Sequence, residues 1–310
     1  MTGPIHHVTV ISGPPQRNHD FYRHTLGLRR IKVTVNFDDP SVHHLYFGND
    51  LAEVGTVFTT FPYPRVKAGD LGTGQAEATA FAVPVGSLAF WQARFAQLQV
   101  PTSAPVERFG QSVLAFSDPD GLPLELIETQ SDALPAAATH PEVPPTAQIR
   151  GFHSVTLLEE GFEATARVLT ELLGYQETAA AGSRTRFTHP SGAHAGTLDI
   201  VCAPGRLRGK VAGGSVHHVA FRISSADEEA ALREQLVARG FNVTPVLDRK
   251  YFTSLYFREP GGVLFEIATD TPGFAVDEPL AELGSRLMLP ESLASKEEEL
   301  ARRLAPLALS

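Results

Sequence analysis

Apolar runs of strand length and apolar positions at helical spacing alternate along this chain in one order that recurs four times. Strand-like runs include Ile5-His6-His7-Val8-Thr9, Leu198-Asp199-Ile200-Val201, Val216-His217-His218-Val219-Ala220 and Val263-Leu264-Phe265-Glu266-Ile267. Apolar residues three and four apart predict helices over Pro14–Leu26, Val85–Leu98, Phe162–Leu173 and Ala226–Arg239. Gly27, Gly174 and Gly240 follow three of these where a C-cap glycine is expected. Asp118-Pro119-Asp120-Gly121 and Glu259-Pro260-Gly261-Gly262 are turns placed before a final strand. The pattern within each unit is strand, helix, then three strands, which gives four βαβββ units, two per half of the chain.

The units are repeats. Arg108–Gly121 and Arg249–Gly262 share an Arg, a Phe before the turn, a Pro and a Gly in register, and the same register sets Glu125 opposite Glu266. His6-His7-Val8-Thr9 corresponds to His153-Ser154-Val155-Thr156, each followed by a helical stretch ending in Leu-Gly. The expected organisation is an N-terminal domain over residues 1–134, a Pro- and Ala-rich linker over 135–148, a C-terminal domain over 149–272 and a helical tail over 273–310.

Histidine and glutamate are costly on buried strands unless something binds them. Side chains alternate across a strand, so two adjacent histidines cannot both face one metal ion. Parity makes His7 and His218 equivalent, and with Glu266 they compose the two-histidine, one-carboxylate set of non-haem Fe(II) oxygenases. The repeats act as an internal control. Ala78 stands where His218 would be and Ser154 where His7 would be, so one metal per chain is expected and Glu125 is read as structural or surface. The strand Gly55–Thr59 has a threonine where the fourth unit has its glutamate, so a fourth ligand is absent. Three protein ligands leave room on an octahedral ion for a substrate oxygen and O2 together. A rival triad of His153, His218 and Glu266 uses only the second half, but His153 aligns with His6 and so has the wrong parity.

The chain resembles the vicinal oxygen chelate superfamily, which includes glyoxalase I and the extradiol dioxygenases, and within it the ring-cleaving hydroquinone dioxygenases. The residues that carry the resemblance are His6–Thr9, His44–Phe47, Gly55–Pro62, Gly151–Ser154, His217–Phe221 and Asp248–Asp270. It implies an α+β fold in which the four βαβββ modules form two tandem domains, each a pair of mixed sheets curling into an open, barrel-like cup. It implies that His7, His218 and Glu266 hold iron(II), with manganese(II) as the other candidate, and that His6, Arg249 and Tyr256 line the cavity as catalytic groups. The activity implied is opening of a hydroquinone-type ring with O2. Competing readings are a glyoxalase-like isomerase or thiol transferase, which needs a fourth protein ligand, and a metal-free small-molecule-binding protein of the same fold.

Bulk properties fit a soluble enzyme. Charged residues make up 20% of 310, and the net charge of -9 argues against nucleic acid as a partner. No apolar run reaches the length of a bilayer span, and no membrane partner is expected. The expected partners are a small aromatic substrate and O2, with a homo-oligomer as an open option. The lone Cys202, read as a small buried hydrophobe, suits a cytoplasmic location. His44 is kept as a pocket candidate. His43 is read as surface, and His19, His24, His140, His189 and His194 are expected to face solvent. Phe252, Phe257 and Phe265 are read as cavity wall or core.

Overall fold

A computed structural model describes residues 2–130, 134–192 and 194–309. The first unit runs β1 (Thr2–Ser12), α1 (Pro15–Asp20) widening into a π-helical turn at Phe21–Thr25, then β2 (Arg29–Val35), β3 (His43–Gly48) and β4 (Val57–Pro62). The second has β5 (Gln75–Val83), α2 (Leu88–Gln97), β6 (Val106–Arg108), β7 (Gln111–Ser117) and β8 (Pro123–Glu128). The third has β9 (Phe152–Glu159), α3 (Glu163–Glu171), β10 (Gln176–Ala181), β11 (Arg184–Thr188) and β12 (Thr197–Cys202). The fourth has β13 (Ser215–Ile223), α4 (Ala226–Ala238), β14 (Leu247–Asp248), β15 (Thr253–Arg258) and β16 (Leu264–Thr269). Each helix lies within its expected range, and Gly27, Gly174 and Gly240 all take positive φ, as a left-handed C-cap requires.

These strands make two eight-stranded mixed sheets, each curled into a cup. One has the order β14-β15-β16-β13-β1-β4-β3-β2 and joins the first unit to the fourth; the other, β10-β11-β12-β9-β5-β8-β7-β6, joins the second to the third. The central contact of each is an antiparallel pair, β1 with β13 and β5 with β9. Strand alternation divides the labour. Val8, Val10, Val219 and Phe221 enter the large apolar core with Phe58, Phe81 and Phe152, while His7, Thr9, His218 and Ala220 face the other way, into the cup.

The chain after β16 runs back along the edge of its own first unit. Met288 donates its N–H to the Val33 carbonyl at 2.8 Å, Arg30 donates to the carbonyls of Gly284 and Leu309 at 2.7 Å each, and α5 (Glu297–Arg303) follows. Lys32 on β2, fully buried, meets Asp277 at 2.7 Å and Glu278 at 2.5 Å.

Several histidines differ from expectation. His43 is buried and bonds the Ala305 carbonyl at 2.9 Å, because this tail covers β3. His19 is buried against Arg30, His140 near Glu142, and His189 against the Thr2 carbonyl; each has a polar partner that makes burial tolerable. Cys202 is partly exposed at the end of β12, near the Glu160 carbonyl. Among the described residues no helix is long and apolar enough to cross a membrane.

Candidate metal centre

The register of three strands builds the site. In the β1–β13 pair His7 lies opposite Ala220 and Thr9 opposite His218. In the β13–β16 pair Ala220 lies opposite Glu266. Ala220 therefore sits between His7 and Glu266 in one row, and His218 is two residues along the same face. The methyl of Ala220 leaves the space above it to the three longer side chains.

The atoms they offer converge. Nε2 of His218 is 2.8 Å and Nε2 of His7 is 3.1 Å from Oε2 of Glu266, and the two nitrogens are 3.2 Å apart. All three residues are buried, yet neither oxygen of Glu266 accepts a hydrogen bond of good geometry. A fully buried carboxylate without donors is costly, and so are two imidazole lone pairs aimed at the same point. A divalent cation satisfies all three at once, and the donor set suits one. Where the facing imidazoles instead carry a proton toward Glu266, they outweigh burial, which alone would raise the carboxyl, and hold it well below the usual carboxylate range.

Each triad histidine is paired with the histidine that precedes it. Nδ1 of His6 is 2.9 Å from Nδ1 of His7, and Nδ1 of His217 is 2.7 Å from Nδ1 of His218. With Nε2 of His7 committed to a cation, its Nδ1 carries the proton. His6 then accepts at Nδ1 and donates from Nε2 to the Thr269 carbonyl, 3.2 Å away. Burial, with the neighbouring His7, pushes His6 down to about 3; burial, with His218, does the same to His217. Both rings are neutral near pH 7, as holding a ligand's ring proton requires.

His7 and His218 line a cavity of about 550 Å³, with Glu266 buried beside them. Its walls include His44, Phe61, His217, Arg249, Phe252 and Tyr256, with Asp38 at the rim. Arg249 and Tyr256 thus reach the cavity, whereas His6 lies behind His7 and packs against Phe252, with ring centroids 5.2 Å apart. Phe257 and Phe265 belong to the core. The Tyr256 hydroxyl is kept protonated by burial and by the facing Glu266 carboxylate. In the first unit Thr59 lies opposite Thr9 as Glu266 lies opposite Ala220, and it bonds Thr9 at 2.7 Å and His44 at 2.8 Å rather than joining the triad. His217 and Asp38 are cavity residues that the sequence reading did not select. Parity turned attention from the first, and no motif marks the second.

Among the described residues, the other cup has no such triad. Ala78, Glu125, Ser154 and Asp199 take the corresponding places, and arginines neutralise the acids: Arg108 binds Glu125 through two bonds of 2.7 Å, and Arg186 binds Asp199 at 2.8 and 3.0 Å. His153 of the rival triad is on this sheet, bonded to Ser154 and Gln111.

The model of the Glyoxalase/Bleomycin resistance protein/Dioxygenase superfamily matches residues 4–126 and 136–267. The chain belongs to that superfamily. Its relatives there include "Putative ring-cleaving dioxygenase MhqO" of Bacillus subtilis (strain 168), 41% identical with 97% of this chain and 96% of the relative covered. A second is the chlorohydroquinone/hydroquinone 1,2-dioxygenase of Sphingobium indicum, 37% identical with 97% and 95% covered. These full-length matches place the chain in the ring-cleaving dioxygenase branch of the superfamily. A crystal structure of a putative dioxygenase from Bacillus subtilis superposes with a TM-score of 0.94 at 40% identity, covering 100% of this chain and 98% of that one. Glyoxalase I from Zea mays shares the fold, with a TM-score of 0.65 at 15% identity over 86% of this chain and 92% of that one.

Proposed function

We propose that the chain is an iron(II)-dependent dioxygenase that opens a hydroquinone-type, para-diphenolic ring with O2, with His7, His218 and Glu266 as the metal ligands. The observation that carries this is the convergence of three buried ligand atoms beside an aromatic-walled cavity that His7 and His218 line, with Thr59 where a fourth ligand would stand. Iron(II) held there would supply adjacent open positions for a phenolic oxygen and O2, and the electron traffic between them.

The chain's own residues do the rest. Phe61 and Phe252 give a flat ring apolar walls to lie against. Arg249 lines the cavity with its fork on Asp38 at 3.3 and 3.2 Å and its Nε–H unpaired, leaving that donor for negative charge on oxygen. Tyr256 keeps its phenolic proton and can donate it in a hydrogen bond where charge develops. His6 and His217 fix the rings of the ligand histidines from behind. The enclosing walls exclude bulk water from the reacting ring. Both atoms of O2 end in the ring-opened product, so no external reductant is needed.

The test is iron quantification with O2 consumption against a panel of hydroquinones and catechols. His7→Ala, His218→Ala and Glu266→Ala should each lose bound iron and O2 uptake. Full uptake by any one of them would overturn the ligand assignment. Isomerisation of a thiol adduct without O2 uptake would favour the glyoxalase-like reading.

A further inference from the structure

The two cups share one plan, so their differences show what a working site must prevent. Tyr256 lies opposite Glu266 in the β15–β16 pair, and Ala115 lies opposite Glu125 in the β7–β8 pair. An arginine heads each hairpin: Arg249 before Tyr256, and Arg108 before Ala115, at matching offsets. From these equivalent starting points the side chains end differently. Arg108 passes the small Ala115 and closes on Glu125 through two parallel bonds. Arg249 stops over the Tyr256 ring, its guanidinium 5.2 Å from the ring centroid, and turns outward to Asp38 at 3.3 and 3.2 Å.

A guanidinium in fork-to-fork contact neutralises a carboxylate and uses its lone pairs. In the second cup Arg108 therefore stands where a cation would otherwise be needed. If Arg249 closed in the same way, it would consume the lone pairs of Glu266 and bring fixed positive charge up to His7 and His218. The Asp38 carboxylate is largely exposed, and an exposed ion pair is a weak tether. The bulk of the aromatic ring is the stronger obstacle.

We infer that the Tyr256 ring is a positioning group which holds Arg249 away from Glu266 and so keeps the metal site open. This rests on the metal-site reading above and gives Tyr256 a role separate from its hydroxyl. Its test is the Fe(II) affinity of the whole chain, measured by anaerobic equilibrium dialysis without substrate. Tyr256→Ala, which copies the second cup, should weaken Fe(II) binding roughly 10–100-fold, the usual scale for lost support of a ligand set. Tyr256→Phe keeps the ring and should bind as the wild type does. Adding Arg249→Met to Tyr256→Ala should restore the affinity, which a merely disturbed fold would not allow. Wild-type affinity in Tyr256→Ala, or no recovery in the double variant, would overturn the inference. Failure of the wild-type chain to bind Fe(II) would instead sink the metal-site reading itself.

Discussion

The two roles proposed for Tyr256, one for its ring and one for its hydroxyl, are separated by removing a single atom. Tyr256→Phe should retain iron yet slow O2 uptake by about 10²–10⁴-fold, the usual yield of a placed proton donor. An unchanged rate would reduce the residue to packing. The triad itself was legible in the sequence because a strand's period of two is rigid: once His7 and His218 shared parity, only the pairing of their strands was open. His217 was not legible, because parity says which face a side chain leaves from but not how an imidazole at the next position bends back toward its neighbour. Asp38 was beyond reach for another reason: its contact with Arg249 joins loops 211 residues apart and follows no local pattern.

At the level of elements, the tail after β16 buttresses the cavity wall. Asp277 takes Lys250 at 2.6 Å and the Tyr251 hydroxyl at 3.2 Å, and these two residues sit between the wall groups Arg249 and Phe252. Lys250 itself holds a left-handed backbone, with φ of 68°, which is strained for a side chain of its size. Glu278, almost fully buried, faces the equally buried Lys32. Asp277 still faces Lys32 at 2.7 Å when Glu278 is removed, so Glu278→Ala loses one charged hydrogen bond and should cost about 1.5–3 kcal/mol in urea denaturation. A loss under about 1 kcal/mol would show that water reaches Lys32. The helices and their caps could be read from apolar spacing, because each buries one stripe on a sheet. A helical tail was expected too, but where it docks could not be read. Its hold on β2 and β3 is made largely by backbone carbonyls, and no side-chain pattern encodes those.

Across the whole molecule, the two sheets meet at two equivalent seams. At one, Asp120 accepts from the Gly13 N–H at 2.9 Å and from Arg17. At the other, Glu159 at the end of β9 lies against Gly261, where any Cβ would collide with its carboxylate. Neither oxygen of Glu159 finds a hydrogen bond, and burial together with the nearby Glu259 pushes its pKa up to about 8 from 4.5. The folded chain therefore keeps a proton that the unfolded chain releases near 4.5, so stability falls as pH rises from there and levels off above about 8. Glu159→Gln should flatten this slope when denaturation midpoints are compared at about pH 5.5 and about pH 8.5. A slope equal to that of the wild type would place the proton elsewhere.

The pairing of β1 with β13 also orders events in time. The two imidazoles that meet at 3.2 Å are 211 residues apart in the chain. During synthesis the first waits until the second, 211 residues further on, has emerged, and the acid at position 266 emerges later still. Contacts so remote are slow to close. On the proposed metal-site reading, a nascent chain would offer a cation no complete set of donors until β1, β13 and β16 have paired, so capture would fall to a polypeptide already able to wall the ion in.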